Sequence, residues 1–216
     1  MNSNKYNNFW YGKFIEHIKN IYLTKIIFYK LFFFIIIGFL VLFSSFSLRE
    51  LVLNASEKSW TLIPNFIDMN LEFNKGIAFS GLSQTSSSVV YLVQSIPLVF
   101  GMVIFLFSKN IYVDIPIIFL IFGGLCNVID RSVVDYAQSD MSYNEHTVVD
   151  YFQFTGGLIT NSAIFNMPDV YVIFGVILLI LYLLISFIKD AKNSNNEQAK
   201  DKINIIEDKD YARQKN

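Results

Sequence analysis

The chain has 216 residues, 53% of them hydrophobic and 16% charged, with a formal net charge of −1. A disordered chain needs low hydrophobicity and high net charge, and one cysteine cannot build a disulfide scaffold. No basic surface invites nucleic acid, so no nucleic-acid partner is expected; with two His and one Cys, an imidazole–thiolate metal site is not expected either, and no cofactor is implied.

Residues 1–30 form an N-terminal extension carrying Lys5, Lys13, Lys19, Lys25 and Lys30, of which residues 1–20 read as solvated and partly disordered. The first apolar run follows at about 31–48, and others lie at about 89–107, 111–129 and 170–188. Each is close to the ~20 residues with which a helix crosses a bilayer core of ~30 Å, and a helix buried in a soluble protein rarely stays apolar on every face for that length. The fold class is therefore membrane all-α, a four-transmembrane-helix bundle over residues 31–188. The first run is read as an uncleaved helix, since no small-residue cleavage site follows it and three further spans do.

The loop between the first two runs has strand character: residues 66–73, FIDMNLEF, alternate, and Asn74-Lys75-Gly76 reads as a turn. These features predict a small β-sheet on the outer membrane surface. Between the third and fourth runs, TVVDYFQF (147–154) is either a strand or a short interfacial helix. The tail, 189–216, balances seven basic residues against six acids and reads as a solvated, partly disordered extension with weak helical patterning around Ile203–Ile206. Of the 17 Lys and Arg residues, all but Arg49, Lys58, Lys75 and Arg131 lie in the N-terminal extension, at Lys109 or in the tail. The positive-inside rule then places both termini in the cytoplasm and the two long loops outside.

Run three ends in Gly123-Gly124-Leu125-Cys126-Asn127-Val128-Ile129-Asp130-Arg131. Asn127 and Asp130 share a helix face, with Gly123 one turn earlier, and Arg131 can pair with a carboxylate nearby. Run four is entered through Phe165-Asn166-Met167-Pro168-Asp169, and Asp150 stands between two valines and Tyr151. Two carboxylates in one low-dielectric site cannot both ionise, so the pair holds one proton. One Asp then deprotonates a water while the other protonates the carbonyl or leaving group, which is the logic of aspartic proteolysis. No H-E-x-x-H, G-x-S-x-G or Walker loop is present. His146 reads as a surface residue and Cys126 as packing. Ionisable groups near spans also mark ion pathways, so an ion or small-solute transport component stays open as an alternative, as does a catalytically inactive membrane scaffold of the same fold.

The ordered set N-K-G-I-A-F (74–79), G-G-L-C-N-V-I-D-R (123–131), V-V-D-Y (148–151) and F-N-M-P-D (165–169) resembles the lipoprotein signal peptidases, or signal peptidase II, which are bacterial membrane aspartic endopeptidases. The resemblance covers roughly residues 30–188. It implies that Asp150 and Asp169 are the catalytic pair, that Gly123, Asn127, Asp130, Arg131 and Asn166 support them, and that Asn74 and Gly76 belong to an outer turn that helps hold substrate. It implies a four-helix bundle with a small extracytoplasmic β-sheet cradling the substrate and a short outer helix. It further implies cleavage of prolipoproteins just before a diacylglyceryl-modified cysteine. The expected partners are these lipid-modified substrates, membrane lipids and globomycin-type inhibitors, bound by a monomer in the bacterial plasma membrane. The chain departs from the family pattern at Pro168, where Ala is usual, and at Ile77, where a small residue is usual. The end of the first run has no Asp, leaving Glu50 as its only acid, and the stretch from Arg131 to Asp150 is long, which predicts a larger outer lid.

Overall fold

The computed structural model describes residues 12–19, 26–76, 85–133, 146–156 and 164–214, with side chains through residue 195. Helix α1 (Ile26–Leu53) leads into strands β1 (Ser59–Ile63) and β2 (Ile67–Asn74); α2 (Ser87–Phe107) and α3 (Ile111–Val133) follow, then β3 (Val148–Phe154) and α4 (Met167–Gln214). Four helices are long and apolar enough to cross a membrane, the last of them over Met167–Asn195. Their exposed faces carry Phe32, Phe39, Phe43, Phe100 and Ile173, positions that a soluble bundle would make polar. The chain is a multi-pass membrane protein.

The helices outrun the apolar runs that mark them. Helix α1 begins before Lys30 and continues past Arg49 because both cations have buried carboxylate partners on α3. Lys30 Nζ lies 3.7 Å from Asp114 Oδ1 and donates to the carbonyls of Phe105 and Ser108. It thus sits at the negative end of the α2 dipole and ties the short α2–α3 link to α1. At the other end of the same helices, Arg49 Nε lies 2.8 Å from Asp130 Oδ1. Helix α3 packs against α1, α2 and β3 and reaches α4 through small residues, as membrane helices do. A Cβ on Gly123 would lie 2.8 Å from the Pro168 carbonyl oxygen, and one on Gly175 would lie 2.8 Å from that of Pro116.

The expected sheet is present, three antiparallel strands in the order β1-β2-β3. The alternating segment is β2, paired to β1 from Ser59↔Asn70 to Ile63↔Ile67 and to β3 from Ile67↔Phe154 to Asn74↔Val148. The stretch left open between strand and helix is a strand, and Val148–Tyr151 are buried on both faces. Met69, Val149 and Tyr151 pack on Val52 and Leu53 at the end of α1, which seats the sheet on the bundle. From Ile177 onward, α4 forms a unit of its own. Its helix continues to Gln214 where partial disorder was expected, in keeping with the Ala, Lys, Glu and Gln of that segment. The described residues contain no short outer helix; segments 77–84, 134–145 and 157–163, which include Ile77 and the stretch expected to form a lid, lie outside them.

The Lys30–Asp114 pair is almost wholly buried, its side chains 6% and 2% exposed. Removing one partner strands a buried charge, so Lys30→Met should cost about 3–5 kcal/mol, whereas Lys30→Met/Asp114→Leu should recover most of it. Thermal unfolding of the detergent-solubilised protein checks the order: a double variant melting at or below the single one would contradict it.

Candidate active site

The start of α4 builds half of the site. Asn166 precedes the helix and Asp169 ends its first three residues, so the two form a reciprocal cap. Asn166 Oδ1 accepts from the Asp169 amide at 2.9 Å, and Asp169 Oδ2 accepts from the Asn166 amide at 3.3 Å. The Met167 amide donates to the Tyr151 hydroxyl at 3.0 Å, and Pro168 has no amide proton to satisfy, which suits a helix's first turn. Every amide that a helix start normally leaves orphaned is accounted for, and Asp169 keeps its other carboxylate oxygen for a partner outside the cap.

Strand β3 builds the other half. Phe165, just before the cap, adds an antiparallel bridge to Phe152: its carbonyl accepts from the amides of Tyr151 and Phe152 at 3.0 and 2.7 Å, and its amide donates to the Phe152 carbonyl at 2.9 Å. This rung sets Asn166 beside Asp150. Asn166 Nδ2 donates to Asp150 Oδ1 at 2.8 Å and to Asn127 Oδ1 at 3.1 Å. Asn127 Nδ2 donates to Asp169 Oδ1 at 2.9 Å, and Asn74 Nδ2 to Asp150 Oδ2 at 2.9 Å. All four oxygens of the two Asp side chains accept from neutral amide groups.

The supporting residues divide by task. Asn74 Oδ1 accepts from the Gly76 amide at 2.8 Å, closing the expected turn. Arg131 does not pair directly with a carboxylate. Its guanidinium donates to the carbonyls of Asn74 and Lys75 at 3.2 Å, of His146 at 3.0 Å, and of Gly76, with Nε on Gln94 Oε1 at 3.0 Å. It clasps the turn that aims Asn74. Asp130 holds the Val149 amide at 2.8 Å through Oδ2 and lies 2.8 Å from Arg49 Nε through Oδ1. Gly123 lets α4 approach Asn127. His146 is exposed and Cys126 is buried, as expected. Glu50 is exposed, with its carboxylate 3.7 Å from Arg49 Nη1; the ionic partner that the end of α1 offers to Asp130 is Arg49.

Asp150 is 3% exposed, and its carboxyl is pushed up from 3.8 to about 7. Burial is the largest cause and the neighbouring Asp169 the next; the donors Asn74 and Asn166 and the Arg131 charge oppose them. Near neutrality this side chain can hold or release a proton, the condition for acid–base work.

A family model described as signal peptidase (SPase) II matches residues 36–185. The chain belongs to the signal peptidase II family. It is 42% identical over 196 residues to a lipoprotein signal peptidase of Malacoplasma penetrans, covering 89% of this chain and 80% of that one. It is 31% identical over 189 residues to one of Mycoplasma genitalium, covering 86% and 97%. A solved bacterial membrane enzyme has the same fold, with a TM-score of 0.60 at 24% identity over 71% of this chain and 88% of that one. As a signal peptidase the chain is a protease, and family membership disfavours the transport alternative.

Sequence reasoning about this peptidase missed Arg49, Tyr91, Gln94 and Tyr151. Tyr91 and Gln94 had a signal, two polar side chains three apart in an apolar run; Tyr91 donates to the Arg131 carbonyl at 2.6 Å. Arg49 had only its place at the end of a span.

A side chain at position 123 would meet both Pro168 and Val172. Gly123→Val should lower stability by about 1–3 kcal/mol and reduce cleavage by separating Asp169 from Asn127. A variant with wild-type melting temperature and turnover would show that the close approach is dispensable.

Proposed function

We propose that this chain is an aspartic endopeptidase that removes signal peptides from diacylglyceryl-modified prolipoproteins, cutting just before the lipidated cysteine, with Asp150 and Asp169 as the catalytic pair. The observation that carries the reading is the Asn166 bridge: its side chain donates to Asp150 Oδ1 at 2.8 Å and accepts from the Asp169 backbone amide at 2.9 Å, while its own backbone amide donates to Asp169 Oδ2 at 3.3 Å. One residue thus links the acid on β3 to the acid at the start of α4. A catalytically inactive scaffold has no use for a buried acid poised near neutrality.

In the reaction, the ionised member of the pair takes a proton from a water placed between the carboxylates, and the water oxygen attacks the scissile carbonyl carbon. The protonated member gives its proton to the carbonyl oxygen. As the tetrahedral intermediate collapses, the acid that took the water's proton gives it to the departing amine, the C–N bond breaks, and a hydroxyl of the intermediate returns its proton to the other carboxylate as the C=O re-forms, leaving one proton on the two acids again. Neutral amide donors hold the carboxylates and favour their charged forms less than a paired cation would. The distribution of basic residues supports both termini lying in the cytoplasm and a site opening on the extracytoplasmic face of the bacterial plasma membrane. The substrate's acyl chains stay in the bilayer while its peptide lies under the sheet, so lipid anchoring supplies effective molarity. A monomer suffices, and globomycin-type cyclic peptides compete for the same cleft.

Asp150→Asn and Asp169→Asn should each abolish release of the signal peptide from a synthetic lipidated prolipoprotein, followed by mass analysis, while unfolding stays cooperative. Processing by either folded variant removes the two-aspartate mechanism.

The rate should also fall as pH rises through about 7, where Asp150 loses its proton and both acids become ionised. Asn74 favours the charged form of Asp150; Asn74→Leu should therefore move the alkaline limb of kcat/KM to higher pH, and a move to lower pH would contradict the assignment.

A further inference from the structure

We infer that Arg49 is a positioning residue for the hydrolysis, acting through Asp130 on the strand that carries Asp150; the inference rests on the two-aspartate reading above. Arg49 Nε and Asp130 Oδ1 are 2.8 Å apart, with side chains 11% and 7% exposed. The second oxygen of Asp130 accepts from the Val149 amide at 2.8 Å, and Val149 adjoins Asp150. One carboxylate thus joins the end of α1 to the backbone of β3 immediately before a reacting group. The pair also borders a cavity that reaches Asn166 and Pro168 at the start of α4. Phe46 lies under the guanidinium, 5.7 Å from its ring centroid, which helps hold the cation in place.

The alternative partner for Asp130 explains why Arg49 matters. Arg131 follows it in the chain, but the Arg131 guanidinium is engaged with the carbonyls of Asn74, Lys75, Gly76 and His146. Without Arg49, a buried Asp130 carboxylate lacks a cation, a costly state. Turning toward Arg131 would release the Val149 amide and compete with the turn carbonyls. Both supports of Asp150 would loosen together: the strand backbone, and Asn74, which donates to it. Arg49 therefore keeps Asp130 out of the catalytic pair.

The test uses the full-length protein in detergent with a synthetic lipidated prolipoprotein. Arg49→Met should lower kcat roughly 10- to 100-fold, the scale of a displaced reacting group, with KM little changed. Adding Asp130→Asn should recover part of that loss, because Asn still accepts from Val149 and needs no cation. Arg49→Lys, which keeps the charge without the planar fork, should fall between wild type and Arg49→Met, and it replaces Arg49→Met in the comparison if the latter does not fold. A merely structural ion pair would lower the melting temperature and leave the kcat of the folded protein unchanged. That result, a loss confined to KM, or no recovery on adding Asp130→Asn would overturn the inference. Asp150→Asn is run in parallel: activity there brings down the two-aspartate reading itself, whereas an inactive Asp150→Asn beside an unaffected Arg49→Met removes only the role of Arg49.

Discussion

Two acids can sit together under a strand and a helix start only if their oxygens are satisfied without two cations. Here every one of the four oxygens accepts from a neutral amide: Asn74 and Asn166 on Asp150, Asn127 and the Asn166 backbone on Asp169. An arginine in direct contact would favour the charged form of both carboxylates. Neutral donors fix positions and leave the protonation state open. The central member is Asn166, which serves at once as helix cap, strand neighbour and bridge, so the placement of Asp169 is inseparable from the way α4 begins.

The charges that are present are engaged elsewhere. Arg131 binds backbone carbonyls, and Asp130 binds an amide and Arg49. Burying these groups would be costly if any lacked a partner, and each instead holds a neighbouring segment: the turn after β2, the entry to β3, or the end of α1. The polar inventory near the membrane surface is larger than the catalytic chemistry needs, because a small sheet has to be held against apolar helices.

The same logic recurs across the bilayer. Lys30 with Asp114 and Arg49 with Asp130 join α1 to α3 at both ends. At 1.5 Å per residue the two fastenings lie roughly 24–29 Å apart along the helices, close to the thickness of a hydrocarbon core. Between them the contact is made by apolar side chains and small residues, which in lipid have no hydrophobic force to orient them. Ion pairs at the two ends thus supply a register that packing alone defines weakly.

The amino-acid sequence determined the four spans, since twenty apolar residues in a row have no other stable home, and β2, whose alternation survives in its burial. It also marked the polar residues of the site, because Asn, Asp and Arg crowded at span ends are costly unless they are used. Even the Asn166–Asp169 cap is local, three residues apart. Only the tertiary structure decided how those residues divide: that Asp130 pairs with Arg49 and the Val149 amide, that Arg131 grips carbonyls, and that Arg49, Tyr91, Gln94 and Tyr151 belong to the same assembly. These partnerships join residues tens of positions apart, and the choice among chemically equivalent partners is made by which helix faces meet, a property of packing that no single segment carries.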